Sequence, residues 1–290
     1  MASPAGMRWI PDGTFLMGSS DSYPEERPRH NVRVPGFWID RRPVTVRDFR
    51  RFTEATGYLT AAEKDEAMPG PLIFRPVGRR LRTFELPDLW RTAPQASWSS
   101  PGGRGSTVIG CEDDPVVQVA WRDAQAYARW AGKSLPTEAE WERAARGGLE
   151  GKSYAWGDEF APHGHMKANT WQGEFPWQNL LSDNYYWTSP VESFSPNRFG
   201  LYDMIGNVWE WTSDVYAPFP PSTPPCCAPV MQAMVDDGAD GELKVIKGGS
   251  FLCSDTCRHY RPAARFGQHS GTAACHIGFR CVVRRGPDHD

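Results

Sequence analysis

A mixed α+β fold with long loops and little regular structure is what this sequence predicts, and three observations lead there. Glycine and proline, 28 and 26 of 290 residues, are scattered along the whole chain; both interrupt regular elements, so few helices or strands can be long. Tryptophan is abundant at 13, and large aromatic side chains suit a core that ladders alone do not organise. Helical spacing is confined to three short stretches, while elsewhere apolar residues come in brief runs cut by turn residues.

In chain order, GTFLMGSSDSYPEERPRHNVRVPGFWID begins with apolar fragments between Gly and Pro, then alternates through Val32, Val34 and Phe37, which reads as strands. PVTVRDFRRFTEATG predicts a helix: Thr45 caps it, Asp48 stands three residues on, Val46, Phe49 and Phe52 share a face, and Gly57 stops it. Residues from about 60 to 115 show no period and are expected to form a long irregular excursion. WRDAQAYARWAG sets Trp121, Ala124, Tyr127 or Ala128, and Ala131 at helical spacing ahead of Gly132. LPTEAEWERAARGG carries a capping box, Thr137 with Glu140, and ends at Gly147 and Gly148. Beyond residue 150, YAWGD, NRFGLYDMIGNVWEW, KVIKGGSF and HIGFRCVV read as turns and short strands. There is no internal repeat, low-complexity tract or linker, so residues 1–290 are expected to form a single domain.

Composition narrows the functional classes. Hydrophobic residues at 40% and charged residues at 23% are those of an ordinary globular chain. A formal charge of −3 without a basic cluster argues against nucleic acid or an anionic membrane surface as partner. No run approaches the ~18 apolar residues of a membrane helix. MASPAGMRWIPDG lacks the charged start and apolar run of a signal peptide, which makes a cytoplasmic location the expectation. Seven cysteines, an odd number, exclude a complete set of disulfides within the chain.

Two groups of residues can carry chemistry. GGSFLCSDTC places Cys253 and Cys257 four positions apart. Paired thiolates select soft metals such as Cu(I) or zinc; zinc usually takes four ligands, and Cys111, Cys226, Cys227, Cys275 and Cys281 supply no second C-x-x-C pair. A redox disulfide or two small buried side chains are the other readings of the same spacing. The second group is oxygen-rich: Asn169 and Asp183 in ANTWQGEFPWQNLLSDNY, and Asp203 and Glu210 across the turn of DMIGNVWEW. Side-chain oxygens with turn carbonyls suit Ca²⁺, and the same residues also make ordinary Asx turns. His163 and His165 form a lone pair in PHGH. H-E-x-x-H, Walker A, dinucleotide-binding and serine-hydrolase elbow motifs are all missing, the last leaving Ser250 outside that class.

GTFLMGS, EERPRHNVRV, PVTVRDF, PVVQVAWRDAQAYARWAGKSLPTEAEWERAARGG, YAWGD, ANTWQGEFP, FGLYDMIGNVWEWTSD, KGGSFLC and RPAAR…HIGFRCV follow one another between about residues 8 and 284. In that order they resemble the formylglycine-generating enzyme (sulfatase-modifying factor) family. The resemblance implies a loop-rich fold related to C-type lectins. It implies an oxidase that consumes O₂ and converts the cysteine of a Cys-x-Pro-x-Arg motif, in a cysteine-containing peptide or unfolded sulfatase, to formylglycine. By the same resemblance Cu(I) is held linearly by Cys253 and Cys257, the substrate thiolate joins as a third ligand, and a hydrogen leaves the substrate β-carbon. Ser250 lies in the same strand as a further catalytic position, Trp209 walls the pocket, and His276 stands where the family often has a polar residue facing substrate. Two structural Ca²⁺ sites are implied, one using Asn169, Thr170, Asp183 and Tyr185, the other Asp203, Gly206, Val208 and Glu210. A monomer is expected.

The sequence departs from that pattern at the metal pair. Active members have four residues between the two cysteines, the last a tyrosine; here only Ser254, Asp255 and Thr256 intervene. His259 replaces the family's arginine, as a substitute hydrogen-bond donor, an added metal ligand or an exposed bystander. A linear S–Cu–S unit spans roughly 4 to 4.5 Å, by analogy with Zn–S bonds of about 2.3 Å, and side chains four apart meet that span in a helical turn or in a bulged loop between strands. Glu63, Asp65 and Glu66 are candidates to read the substrate arginine. Two other readings stay open: the same copper pair acting on a different thiol, such as a natural-product precursor, and a non-catalytic binding module of lectin-like fold.

Overall fold

Apolar alternation in the first forty residues produces four strands, β1 (Met7–Ile10), β2 (Gly13–Met17), β3 (His30–Val34) and β4 (Phe37–Asp40). The structure is a computed structural model that describes residues 4–67, 70–80, 89–217 and 242–284; Cys226 and Cys227 lie outside them. β2 and β3 pair as an antiparallel ribbon. β4 runs antiparallel between β1 and β11 (Val282–Val283), so segments from both ends of the described chain share one sheet.

Local signals set the helices. In α1 (Val46–Thr56) the Thr45 and Asp48 capping box forms, and Gly57 ends the helix at φ 67°, a left-handed conformation costly for other residues. In α3 (Glu138–Arg146) Thr137 and Glu140 form the second box, with Gly147 at φ 58°. α2 (Trp121–Trp130) begins at Ala120, whose N–H donates to the Asp123 carboxylate at 2.8 Å. Phe49 of α1 stacks on Tyr127 of α2 and meets Phe279 edge-on, which locks the two helices over the core.

The excursion at 60–115 is less irregular than its sequence. β5 (Leu72–Phe74) and β6 (Trp90–Thr92) pair antiparallel, and Leu72 also bridges Ala274. Strands of three residues are too short to display a period. Trp98 and Val108 from this region lie buried in the main core.

The sheet that positions the site contains β7 (Trp209–Val215), β8 (Leu243–Lys247), β9 (Arg265–His269) and β10 (Ile277–Gly278), in the order β10-β7-β8-β9. β10 is parallel to β7 and the other pairs are antiparallel. α3 packs on this sheet and on β2 and β3. A buried ion cluster seals the contact: the Lys247 ammonium donates to Glu142 at 2.9 Å, Arg146 donates to Glu142 at 2.6 Å, and Arg265 donates to Glu138 at 2.8 Å and 3.0 Å. The neighbouring cations hold the Glu142 carboxyl below its ordinary range against the opposing effect of burial.

Removing one charge from such a cluster strands its partner. Lys247→Met is expected to lower unfolding free energy by about 3–5 kcal/mol, the usual cost of leaving a buried charge uncompensated. Guanidinium unfolding measures it, and an unchanged midpoint would show that the cluster holds nothing together.

Candidate active site

The chain between β8 and β9 is shaped from its first two residues. Gly248 and Gly249 have φ of 96° and 71°, and a side chain on Gly249 would sit 2.9 Å from the His259 carbonyl group. Ser250 follows in this turn. It stands beyond the end of β8 rather than in a strand, because the glycine pair has already turned the backbone out of the ladder. It is fully buried, its N–H points at the Cys253 sulfur at 3.4 Å, and its hydroxyl accepts from the Leu252 N–H at 3.3 Å.

Next the backbone winds into one turn. Arg258 N–H donates to the Ser254 carbonyl at 2.9 Å, which puts Cys253 and Cys257 one helical turn apart on the same side. Arg258 closes the turn at φ 47°, the left-handed conformation that ends helices and reverses the chain. Its successor is thereby carried back over the turn. The two cysteine sulfurs and a ring nitrogen of His259 lie within 4.8 Å of one another, and all three residues are buried.

His259 is no exposed bystander: it is 1% exposed. Its ring stacks on Tyr23 with centroids 4.7 Å apart and an angle of 13°, and Trp209 lies 5.6 Å away. Neither ring nitrogen has a hydrogen-bond partner among the described residues. The Tyr23 hydroxyl donates to the Cys257 carbonyl at 2.8 Å. Two residues further, Arg261 grips buried Glu26 through two hydrogen bonds of 2.7 Å and 2.5 Å.

The remaining predicted residues divide into three sets. His276 is buried against Trp90, ring centroids 4.6 Å apart, with Nδ1 unpartnered among the described residues; burial pushes its imidazole down to about 3, so it is neutral at ordinary pH. Asn169 and Asp183 lie together with Thr170 and Tyr185: Asp183 accepts from the N–H groups of Thr170 at 2.9 Å and Tyr185 at 3.0 Å. The Asn169 side-chain oxygen is buried without a partner, and no lysine or arginine among the described residues pairs with Asp183. The Gln172 amide is pressed against both the Asp183 carboxylate and the Thr170 carbonyl. The third set is the turn from Asp203 through Gly206 and Val208 to Glu210. There Arg280 makes a two-pronged contact with Glu210, both hydrogen bonds 2.7 Å, and Trp141 donates to it at 2.8 Å. Asp203 accepts from Glu192 N–H at 2.8 Å, and burial pushes its carboxyl up to about 6.

Of the acidic candidates at 60–66, Glu63 caps Thr60 at 2.7 Å and Glu66 pairs with Arg122 at 2.8 Å. A mostly apolar cavity of about 630 Å³ opens beside Phe74, Trp187 and Phe251. Neither Cys253 nor Cys257 lines it, but Phe251 and Cys275 do, and these stand two residues from Cys253 and next to His276.

A family model described as the sulfatase-modifying factor enzyme 1-like domain matches residues 1–285. The chain belongs to this family. A formylglycine-generating enzyme from Mycobacterium tuberculosis is 48% identical over 94% of this chain and 96% of its own length. A mouse relative named inactive C-alpha-formylglycine-generating enzyme 2 is 38% identical over 98% of this chain and 88% of its own. Among solved structures, PvdO from Pseudomonas aeruginosa superimposes with a TM-score of 0.61 at 27% identity, covering 95% of this chain and 93% of that one. The mixed, loop-rich fold agrees with that expected for the family.

Tyr23, Glu26, Trp90 and Arg280 escaped the sequence reading. Tyr23 acts on Cys257 from 234 positions away, a pairing no local pattern encodes. A usable signal for Arg280 was its place in HIGFRC, beside His276.

His276 gives the fold a pH dependence. Unfolded, it takes up a proton near its ordinary value of 6.5; folded, not until about 3. Stability therefore falls as pH drops from 6.5 towards 3, by up to about 1.4 kcal/mol per pH unit. Urea unfolding between pH 7 and pH 5 should show that slope, and His276→Asn should flatten it; an identical slope in the variant would place the proton elsewhere.

Proposed function

We propose that this chain oxidises a cysteine side chain of a peptide or unfolded sulfatase to formylglycine, using O₂ and a copper ion held by Cys253 and Cys257. The clustering of these two sulfurs within 4.8 Å, buried and on one turn, carries the reading. Cys253 and Cys257 would hold the ion, and sulfur donors suit Cu(I). Retention of the pair also favours an enzyme over a non-catalytic relative, a choice that family membership leaves open because one mouse relative is named inactive.

Bound there, copper supplies the O₂ chemistry that no side chain in the cluster can perform. Conversion of –CH₂–SH to –CHO with release of sulfide withdraws two electrons from the substrate. Reduction of O₂ to water takes four, so a thiol reductant supplies the other two. The chain's own residues provide the setting. Ser250 orders the backbone at the first cysteine, Tyr23 fixes the second through its carbonyl, and Trp209 and His259 close the site against water. His276, neutral and with Nδ1 unpartnered, offers the peptide a hydrogen-bonding group.

Calcium holds the surrounding loops in the same reading. At the first position the orphaned Asn169 oxygen and the Asp183 carboxylate, buried without a cation, fit a hard ion. At the second, Arg280 already neutralises Glu210, and Asp203 is the buried acid that gains from a cation.

Anaerobic titration with Cu(I) against a competing chelator tests the first half. One equivalent should bind tightly, and Cys253→Ser or Cys257→Ser should weaken binding by more than the ~100-fold that loss of a supporting contact costs. O₂ uptake and mass spectrometry of a Cys-x-Pro-x-Arg peptide test the second half. Copper binding with O₂ uptake only on another thiol would move the substrate to a different class, and no copper binding would leave the non-catalytic module. For calcium, a concentration 100-fold above its dissociation constant should raise unfolding free energy by about 2.7 kcal/mol. Asp183→Ala should remove most of that gain; a calcium response indifferent to Asp183 would reject the site.

A further inference from the structure

His259 is the buried polar group whose chemistry is still unaccounted for. A neutral imidazole always presents one donor and one acceptor, and leaving such groups buried without partners forfeits the hydrogen bonds they make in water. Both nitrogens of His259 are in that state among the described residues. The chain nevertheless fixes the ring closely. Tyr23 stacks on one face, the bare Cα of Gly249 admits the backbone of residue 259, and Arg261 N–H anchors the His259 carbonyl at 2.8 Å. A hydrogen-bond role finds no partner among the described residues, and a purely packing role would be filled at lower cost by an apolar ring. What lies within reach is the sulfur pair: one ring nitrogen is no more than 4.8 Å from either sulfur.

We propose that His259 is a third ligand to the copper(I) ion, making the centre a three-coordinate Cys₂His site. This rests on the copper reading above. Imidazole nitrogen is a good copper donor, and two thiolates keep the preference for the reduced ion. A neutral third ligand completes the shell without adding charge to a buried site that already holds two thiolates. It also gives one of the two orphaned ring nitrogens a partner. A centre built this way holds its metal between encounters with substrate, and an arriving thiolate meets a position that already carries a donor.

X-ray absorption on the anaerobically loaded full-length protein tests the assignment directly. The wild type should show one nitrogen scatterer beside two sulfurs. His259→Phe, which keeps a ring for Tyr23 to stack on, should show sulfur alone and bind Cu(I) at least about 10-fold more weakly. His259→Ala should regain the nitrogen signal when imidazole is added. Sulfur-only scattering in the wild type, or a nitrogen signal and affinity unchanged in His259→Phe, would overturn this inference and leave the copper pair standing. Failure of the wild type to bind one equivalent of Cu(I) would overturn both. If His259→Phe does not fold, the wild-type spectrum decides alone.

Discussion

Lys247 has no exposure to solvent, yet it carries a charge, and the site depends on how that charge is accommodated. Burying an ammonium group costs several kcal/mol unless carboxylates and carbonyls surround it. Here Glu142 stands at 2.9 Å, Glu138 at 3.5 Å and the Ala263 carbonyl at 3.3 Å. Lys247 is the last residue of β8, and Arg265, bound to Glu138, is the first of β9. The two residues flank the whole segment that holds Ser250, both cysteines and His259. One helix therefore pins both ends of this loop, and Arg261 with Glu26 adds a third fixed point inside it. A loop with almost no ladder of its own gains its shape from charges that can be satisfied in one arrangement.

The loops proposed to bind calcium are fastened to the same segment through backbone hydrogen bonds. Trp171 N–H donates to the Cys253 carbonyl at 3.0 Å, and Phe251 N–H to the Asn207 carbonyl at 3.0 Å. Asn207 N–H in turn reaches the Asn169 carbonyl at 2.8 Å, and Gly206 N–H the Gly248 carbonyl at 2.9 Å. Asn169, Gly206 and Cys253 thus belong to one backbone network, although they are distant in sequence. A cation that stiffens the first two also stiffens the third, so the calcium and copper proposals are mechanically linked.

What could be read from sequence follows the range of the interactions. The α1 and α3 boundaries were legible because capping boxes and left-handed glycines act within four residues. The cysteine turn was legible only as one of two options, since a spacing of four suits a helical turn and a bulged loop alike, and the Arg258 to Ser254 hydrogen bond decides for the turn. Short strands such as β5 and β6 were hidden because three residues define no period. The Tyr23 stack on His259 and the Arg280 hold on Glu210 were hidden for another reason, since each joins segments far apart in the chain. The residue types picked out the oxygen-rich loops and resemblance sharpened them into ligand sets, but neither could show that Glu210 already has a cation beside it. Ser250 was misplaced because its apolar neighbours read as strand while the preceding glycine pair had already broken the ladder.

The three-residue cysteine spacing and the placing of His259 are set by the same stretch of backbone. With three residues between the cysteines, the turn closes on the Arg258 N–H to Ser254 carbonyl hydrogen bond, with Thr256 N–H held by the Ser254 hydroxyl at 3.3 Å. Arg258 must then take a left-handed conformation to escape the turn, at a cost of order 1–3 kcal/mol for a residue other than glycine. That reversal points residue 259 back at the sulfurs instead of along the chain. An arginine there would bring a charged, acceptor-free group into a buried position between Tyr23 and Trp209. Imidazole is flat, neutral and able to ligate, so it fits both the aromatic slot and the sulfur pair. The turn and the imidazole are therefore complementary: the turn brings position 259 inward, and histidine supplies a flat side chain that the position between Tyr23 and Trp209 can hold.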